Sequence, residues 1–245
     1  MAVSSLEEAR VKGLPSSAFY IADFITEEEE QMLLSKIATA PKPRWKQLAH
    51  RRIQVWPSDL SKNNTLLDSS LPNWLVDPII SRMQSLPIST TDPQSHIFSD
   101  SPHGAPNLVL INEYQPGEGI MPHKDGVAYH PVVCTVSLGS SLTLGIHGKN
   151  ESGSTESEPR WRILQEPRSL LITTGELYTD FLHGIAEITE DVSLSPDTVS
   201  NWDLLRSPDR IIDGRHQRET RTSLTYRDVL KVTKLGSKFG ALGKR

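Results

Sequence analysis

A chain of 245 residues with 36% hydrophobic and 23% charged side chains has apolar content enough for one sizeable core and too much for wholesale disorder. Its net charge of −4 singles out no partner, and its one cysteine, Cys134, excludes an intrachain disulfide and a zinc site built from cysteines. Residues 1–15 hold no apolar leader and no 18-residue apolar stretch follows, so the expectation is a soluble protein of cytoplasm and nucleus, without membrane contact.

Taken in chain order, Ala18 to Phe24 reads as a short strand. Thr26 followed by Glu29 is a capping box, and Glu27 to Glu30 put negative charge where a helix N-terminus favours it. The helix is predicted to reach about Ala40 and to stop before Pro41 and Pro43. Residues 41–65 interleave Lys42, Arg44, Lys46, Arg51, Arg52 and Lys62 with Trp45 and Trp56. That mixture suits gripping phosphates and stacking a base; tryptophans packed on a solvated loop are the plainer alternative. A second helix is predicted over 72–86, with Trp74, Leu75, Ile79 and Met83 at helical spacing and a kink at Pro78. Residues 87–106, rich in Pro, Ser, Asp and Gly, read as loop.

From Asn107 the hydrophobic period shortens. Residues 108–111, 132–138, 142–146, 169–173, 178–182 and 222–226 are β-prone runs separated by Gly or Pro. Cys134 lies inside one of them, as a small buried hydrophobe. The polar stretches 148–159 and 190–217 are expected to be surface loops with no core of their own. Helices followed by many strands imply an α+β fold, the helices packed on one sheet of a sandwich. Charge is unevenly placed: Arg206 to Arg245 holds eleven Lys/Arg against four Asp/Glu, which leaves the first 205 residues net acidic. A basic end suits an anionic partner or cosubstrate, although 231–245 alone also reads as a solvated tail.

Two clusters carry chemistry. In an extended segment, residues i and i+2 point the same way, so His123 and Asp125 offer an imidazole and a carboxylate to one ion. A second histidine completes a facial triad that leaves three octahedral positions open, the requirement of Fe(II) oxygen chemistry. His183, at the end of a β-prone run and before Gly184, is favoured by position; His130 and His147 compete. The second cluster is Arg221 to Arg227, two arginines six apart on an alternating run and hence on one strand face. Inward guanidiniums are costly unless they meet acids, and Arg pairs with carboxylates in bidentate fashion. Beside an iron site they have a use: one for the far carboxylate of a dicarboxylic cosubstrate, the other near the metal-side acid. Edge-strand arginines facing water are the alternative.

Together the motifs Asn112-x-Tyr114-x-Pro116-Gly117, His123-x-Asp125, Leu182-His183-Gly184 and Arg221-x5-Arg227 resemble the AlkB family of Fe(II)/2-oxoglutarate dioxygenases, over about residues 107–228. Residues 40–45, 117–123 and 166–171 are similar to one eukaryotic branch of it. The resemblance implies a double-stranded β-helix (jelly-roll) core over 107–230, with residues 1–106 supplying helices and a candidate substrate-recognition lid and 231–245 a basic tail, all in one domain. It implies Fe(II) on His123, Asp125 and His183, and 2-oxoglutarate held by Asn112 and Tyr114. Arg221 would meet its distal carboxylate, and Arg227 would lie near Asp125 and the metal-side carboxylate. Fe(II), 2-oxoglutarate and O2 would then hydroxylate a C–H bond, in many members an N-methyl group that leaves as formaldehyde, with succinate and CO2 released. The leading expectation is a monomeric demethylase of alkylated nucleic acid, RNA or single-stranded DNA. A protein side-chain hydroxylase or demethylase, favoured by the acidic first 205 residues, is the alternative. So is a nucleic-acid-binding protein with little turnover, against which the complete set of ligands and arginines argues.

Overall fold

Central strands of this protein send alternate side chains into two different cores, and that division creates the site. The computed structural model describes residues 3–15, 18–150 and 152–233. Before residue 107 it forms β1 (Ala18–Ile21), α1 (Glu27–Ala38), β2 (Lys46–Leu48), β3 (Arg51–Trp56), β4 (Thr65–Leu67), α2 (Asn73–Val76), α3 (Ile79–Ser85), β5 (Pro87–Ser89) and β6 (Asp92–His96). Then come β7 (Leu108–Tyr114), β8 (Ile120–His123), β9 (Val132–Gly139), β10 (Leu142–His147), β11 (Trp161–Gln165) and β12 (Leu170–Thr174). The rest is α4 (Glu176–Thr179), β13 (Leu182–Ile185), β14 (Glu190–Asp191), β15 (His216–Gln217), β16 (Arg221–Arg227) and β17 (Lys231–Thr233).

A seven-stranded sheet runs β1-β12-β9-β16-β7-β3-β2, and a four-stranded sheet runs β11-β10-β13-β8. On one face of the large sheet Val109, Ile111, Cys134, Val136, Leu224 and Tyr226 share a buried cluster with Leu33 and Ile37 of α1 and Ile79 and Met83 of α3. Burial there pushes the Cys134 thiol pKa well up, the behaviour of an inert apolar filler. On the other face Tyr114 and Leu171 join Leu144, Ile146, Ile163 and Ile185 of the small sheet in a second cluster. Polar ties fix the layers. The Tyr226 hydroxyl donates to the Leu75 carbonyl at 3.1 Å, and Gln54 Nε2 donates to the Ile37 carbonyl near the end of α1.

The capping box is formed: Thr26 Oγ1 accepts from the Glu29 amide, and Glu29 accepts from the Thr26 amide. Several expectations need correction. The helix predicted over 72–86 is two short helices divided at Asp77–Pro78, because proline cannot donate the amide bond that would continue the first. Residues 87–96 are a hairpin, not loop, held by backbone pairing between polar residues. The run 178–182 is not a strand: α4 occupies 176–179 and β13 begins only at Leu182. The stretch 190–217 does contribute to a core. β14 and β15 close its base, and Leu194, Val199 and Leu205 enter the second cluster. Within it, buried Asn201 binds both the amide and the carbonyl of Leu164, acting as a one-residue strand on the edge of β11. The expected basic tail begins as β17, parallel to β4; residues 234–245 lie outside those described. No helix among the described residues is long and apolar enough to cross a membrane.

Candidate metal centre and anion pocket

The inward faces of the two sheets enclose a cavity of about 280 Å³. Sheet register decides what lines it. On the large sheet Asn112 pairs with Ser223 and Tyr114 with Arg221, so these four point inward together. On the small sheet His183 of β13 pairs directly with His123 of β8. Their rings lie 4.4 Å apart between centroids. Asp125 completes the group: one ligand atom from each of His123, Asp125 and His183 lies within 4.8 Å of the others. Among the described residues no other group of three or more His, Cys, Asp or Glu side chains converges in this way.

Asp125 reaches the group by a different route from the one the spacing suggests. β8 ends at His123, so Asp125 sits in the following loop and not on the strand. Its position is set by Arg227, whose Nη2 donates to Asp125 Oδ1 at 2.5 Å, while Asp125 Oδ2 lies 3.9 Å from His183 Nε2. The pair is almost fully buried, at 8% and 7% side-chain exposure, so its mutual attraction is little screened. His123 Nδ1 lies 2.9 Å from the Met121 carbonyl; if Nδ1 donates there, Nε2 is left with a free lone pair. Burial lowers the pKa of His183 to about 4, against the opposing pull of Asp125, and keeps the imidazole neutral, the form that ligates a metal. His147 does not line this cavity. Leu144 and Ile146 are the inward residues of β10, and His147 Nδ1 instead lies 3.1 Å from the Glu156 carbonyl. His130 is likewise not among the cavity's lining residues.

Arg221 is the unusual group. It is 2% exposed, and its Nη2 donates to Ser137 Oγ at 2.8 Å and Gln165 Oε1 at 3.1 Å, both neutral. Its Nε is buried and has no hydrogen-bond partner among the described residues. Burial brings its pKa down to about 10, with Tyr114 acting in the opposite sense. A buried guanidinium with no carboxylate is costly on its own, so the donor set fits an anion that arrives from outside. Tyr114 lies close by, 6.0 Å from the guanidinium carbon to the ring centre, and burial raises its own pKa.

Sequence reasoning missed several residues of this pocket. Ser137, mid-strand in β9, and Gln165, at the end of β11, are the neutral partners of Arg221, and nothing in the sequence marks them. Arg51, which the composition of 41–65 offers as a phosphate-gripping cation, instead lines the cavity and donates from Nε to Asn112 Oδ1 at 3.1 Å. Tyr129 lines the cavity, and Tyr178 lies beside Gly126 at its margin. The Arg227 guanidinium is 5.2 Å from the Tyr129 ring centre, and the Tyr178 hydroxyl donates to the Gly126 carbonyl. The other basic residues of 41–62 are partly engaged elsewhere. Arg44 covers Trp56 and Arg52 covers Trp45, each at 4.1 Å, and Arg52 also forms a bidentate pair with Glu113. Lys46 pairs with Asp59.

Gly119 permits the approach of β8 to β13. A Cβ there would stand 2.3 Å from the Ile185 carbonyl oxygen, which is backbone and cannot turn aside. Gly119→Ala is expected to cost about 1–3 kcal/mol of stability. It should also displace His123 and weaken metal affinity, as urea unfolding and metal titration would report.

A jelly roll with two histidines and an aspartate over a buried, anion-seeking arginine defines a class, and comparison with known proteins agrees. The family model described as the 2OG-Fe(II) oxygenase superfamily matches residues 17–227. The chain belongs to that superfamily, and within it to the AlkB homologues, which makes it an oxidoreductase of the dioxygenase class. It is 38% identical over 237 residues to the probable RNA/DNA demethylase ALKBH6 of Danio rerio, covering 94% of this chain and 93% of that one. It is 26% identical to the tRNA (carboxymethyluridine(34)-5-O)-methyltransferase alkbh8 of Xenopus tropicalis, over 91% of this chain but 33% of that longer protein. Among solved structures OsALKBH1 superposes with a TM-score of 0.55 at 15% identity, covering 89% of this chain and all of that one, a likeness of fold alone.

Proposed function

We propose that this protein oxidatively demethylates alkylated nucleic acid, RNA or single-stranded DNA, using Fe(II), 2-oxoglutarate and O2. In this reading His123, Asp125 and His183 hold the iron on one face. Arg221 takes the distal carboxylate of 2-oxoglutarate, and Asn112 and Tyr114 border the same molecule. The reading rests on Arg221: its buried Nε has no partner, and its other contacts are neutral, in the same cavity as the triad. Bound iron, 2-oxoglutarate and O2 supply the hydroxylation of an N-methyl carbon, which leaves as formaldehyde while succinate and CO2 are released.

The protein's own groups do the rest. Arg227 holds Asp125 aimed at the histidines. Burial keeps His183 neutral and ready to ligate. The space between the sheets limits water around the reacting carbon, so a base must leave its stack to enter. Helices α1 and α3 pack on the opposite face of the large sheet.

Nucleic acid as the substrate class rests on the likeness to a probable RNA/DNA demethylase. One observation favours a methylated protein side chain instead: Trp45 and Trp56 are each covered by an arginine, and so are engaged rather than free to stack on a base. A screen of methylated oligonucleotides and methylated peptides for formaldehyde release separates the two. Release from oligonucleotides, with binding that falls steeply as salt rises, is the expected result. Release from peptides alone would overturn the substrate assignment.

A further inference from the structure

The basic residues of 41–65 do not all do the same thing, and the difference identifies a residue with a specific task. Arg44 and Arg52 are taken up by indoles, backbone carbonyls and Glu113. Arg51, the first residue of β3, turns inward. It pairs in register with Leu48 across the β2–β3 turn, so the turn fixes where it starts. Its Nε donates to Asn112 Oδ1 at 3.1 Å, and it forms no other side-chain hydrogen bond among the described residues.

That one bond decides which way the Asn112 amide faces. A carboxamide has an acceptor end and a donor end of almost the same shape. The Nε–H of Arg51 demands the oxygen. The Asn112 amino group is therefore left on the other side, in the cavity that holds Arg221 and the triad, and no acceptor among the described residues binds it. Asn112 is only 6% exposed, so water does little to average its two orientations. With the amide fixed in this sense, Asn112 presents N–H donors to an anion. Flipped, it would present an oxygen to a carboxylate and repel it.

We propose that Arg51 is a positioning residue for the anionic cosubstrate. From the β2–β3 hairpin it locks Asn112 as a donor, so the placement of that hairpin sets 2-oxoglutarate affinity. This rests on the cosubstrate reading of the cavity given above. It assigns the hairpin a role in holding the small anion, distinct from any contact with the larger substrate.

Calorimetric titration of 2-oxoglutarate into Mn(II)-loaded protein tests it, with wild type, Arg51→Ala, Asn112→Ala and the double variant. Arg51→Ala is expected to weaken 2-oxoglutarate binding roughly tenfold, the effect of one charge-assisted hydrogen bond. Mn(II) affinity and the melting temperature of the metal-loaded protein should stay near wild type. The double variant should bind no more weakly than Asn112→Ala, because the two residues act as one unit. In succinate-forming turnover, the KM for 2-oxoglutarate should rise while kcat holds. Binding by Arg51→Ala within about twofold of wild type, or additive losses in the double variant, would overturn the inference and leave the cosubstrate reading standing. Failure of the wild-type, Mn(II)-loaded protein to bind 2-oxoglutarate at all would instead bring down the cosubstrate reading, and the role of Arg51 with it.

Discussion

Replacing Asp125 with alanine should abolish iron binding and turnover together. The carboxylate is one of three groups that converge, and among the described residues no second acid joins the group to replace it. The loss should exceed the roughly 10–100-fold penalty typical of a residue that merely supports a ligand. The same substitution has a second consequence. Arg227, 7% exposed, would keep its charge and lose its only acid partner among the described residues. Breaking one side of a buried pair costs about 3–5 kcal/mol. Iron titration and urea unfolding read the two effects separately. Asp125→Asn keeps the shape, can still accept a hydrogen bond from Arg227, and should lose iron with a smaller loss of stability.

Arg221→Met separates cosubstrate from metal. Removing the guanidinium should raise the 2-oxoglutarate requirement about 10–100-fold, the value of hydrogen bonds between charged partners in a buried site. Metal affinity should be little changed, since Arg221 forms no bond to His123, Asp125 or His183. The stability change has an unusual sign. In the wild type without ligand, a buried cation faces only neutral groups, and exchanging such a group for a hydrophobe of similar volume is often neutral or stabilising. Arg221→Met should therefore melt at or above the wild-type temperature when ligand-free, and should lose the stabilisation that 2-oxoglutarate gives the wild type. A variant that melts far below wild type and still responds to 2-oxoglutarate would show that Arg221 has a structural role only.

The central strands of the large sheet are legible in the sequence because they are dense in β-branched and apolar residues, whereas β2 and β3 lie in the basic stretch 41–65 and carry no such signal. Residues 108–114, 132–139 and 221–227 each carry a run of β-branched and apolar side chains, and both faces of these strands are buried. The small sheet was harder to read. β8 contains Pro122 and follows Gly119, two residues that argue against a strand, yet it is an edge strand where such residues are tolerated. β11 follows a polar insertion and went unread. The apolar residues of 190–217 are too sparse for a periodic signal, and their burial depends on a surface the rest of the chain provides.

The candidate site divides in the same way. His123, Asp125, Arg221 and Arg227 are visible as local spacings, and the structure brings all four to one cavity. His183 was one of three competing histidines until the β13–β8 register placed it opposite His123. Ser137, Gln165 and Arg51 owe their places to register alone. Arg51 shows this most plainly: it is adjacent in sequence to Arg52, but one reaches the pocket and the other pairs with Glu113 outside it.

The most direct measurement is succinate formation from 2-oxoglutarate by the purified protein, with Fe(II) in air and no added substrate, beside the Asp125→Ala variant and a chelated control. The wild type should form succinate in an iron-dependent manner, and the variant and the chelated sample should form none. A wild type that neither binds Fe(II) nor forms succinate, or a variant that forms it equally well, would contradict the assignment of His123, Asp125 and His183 as an iron centre.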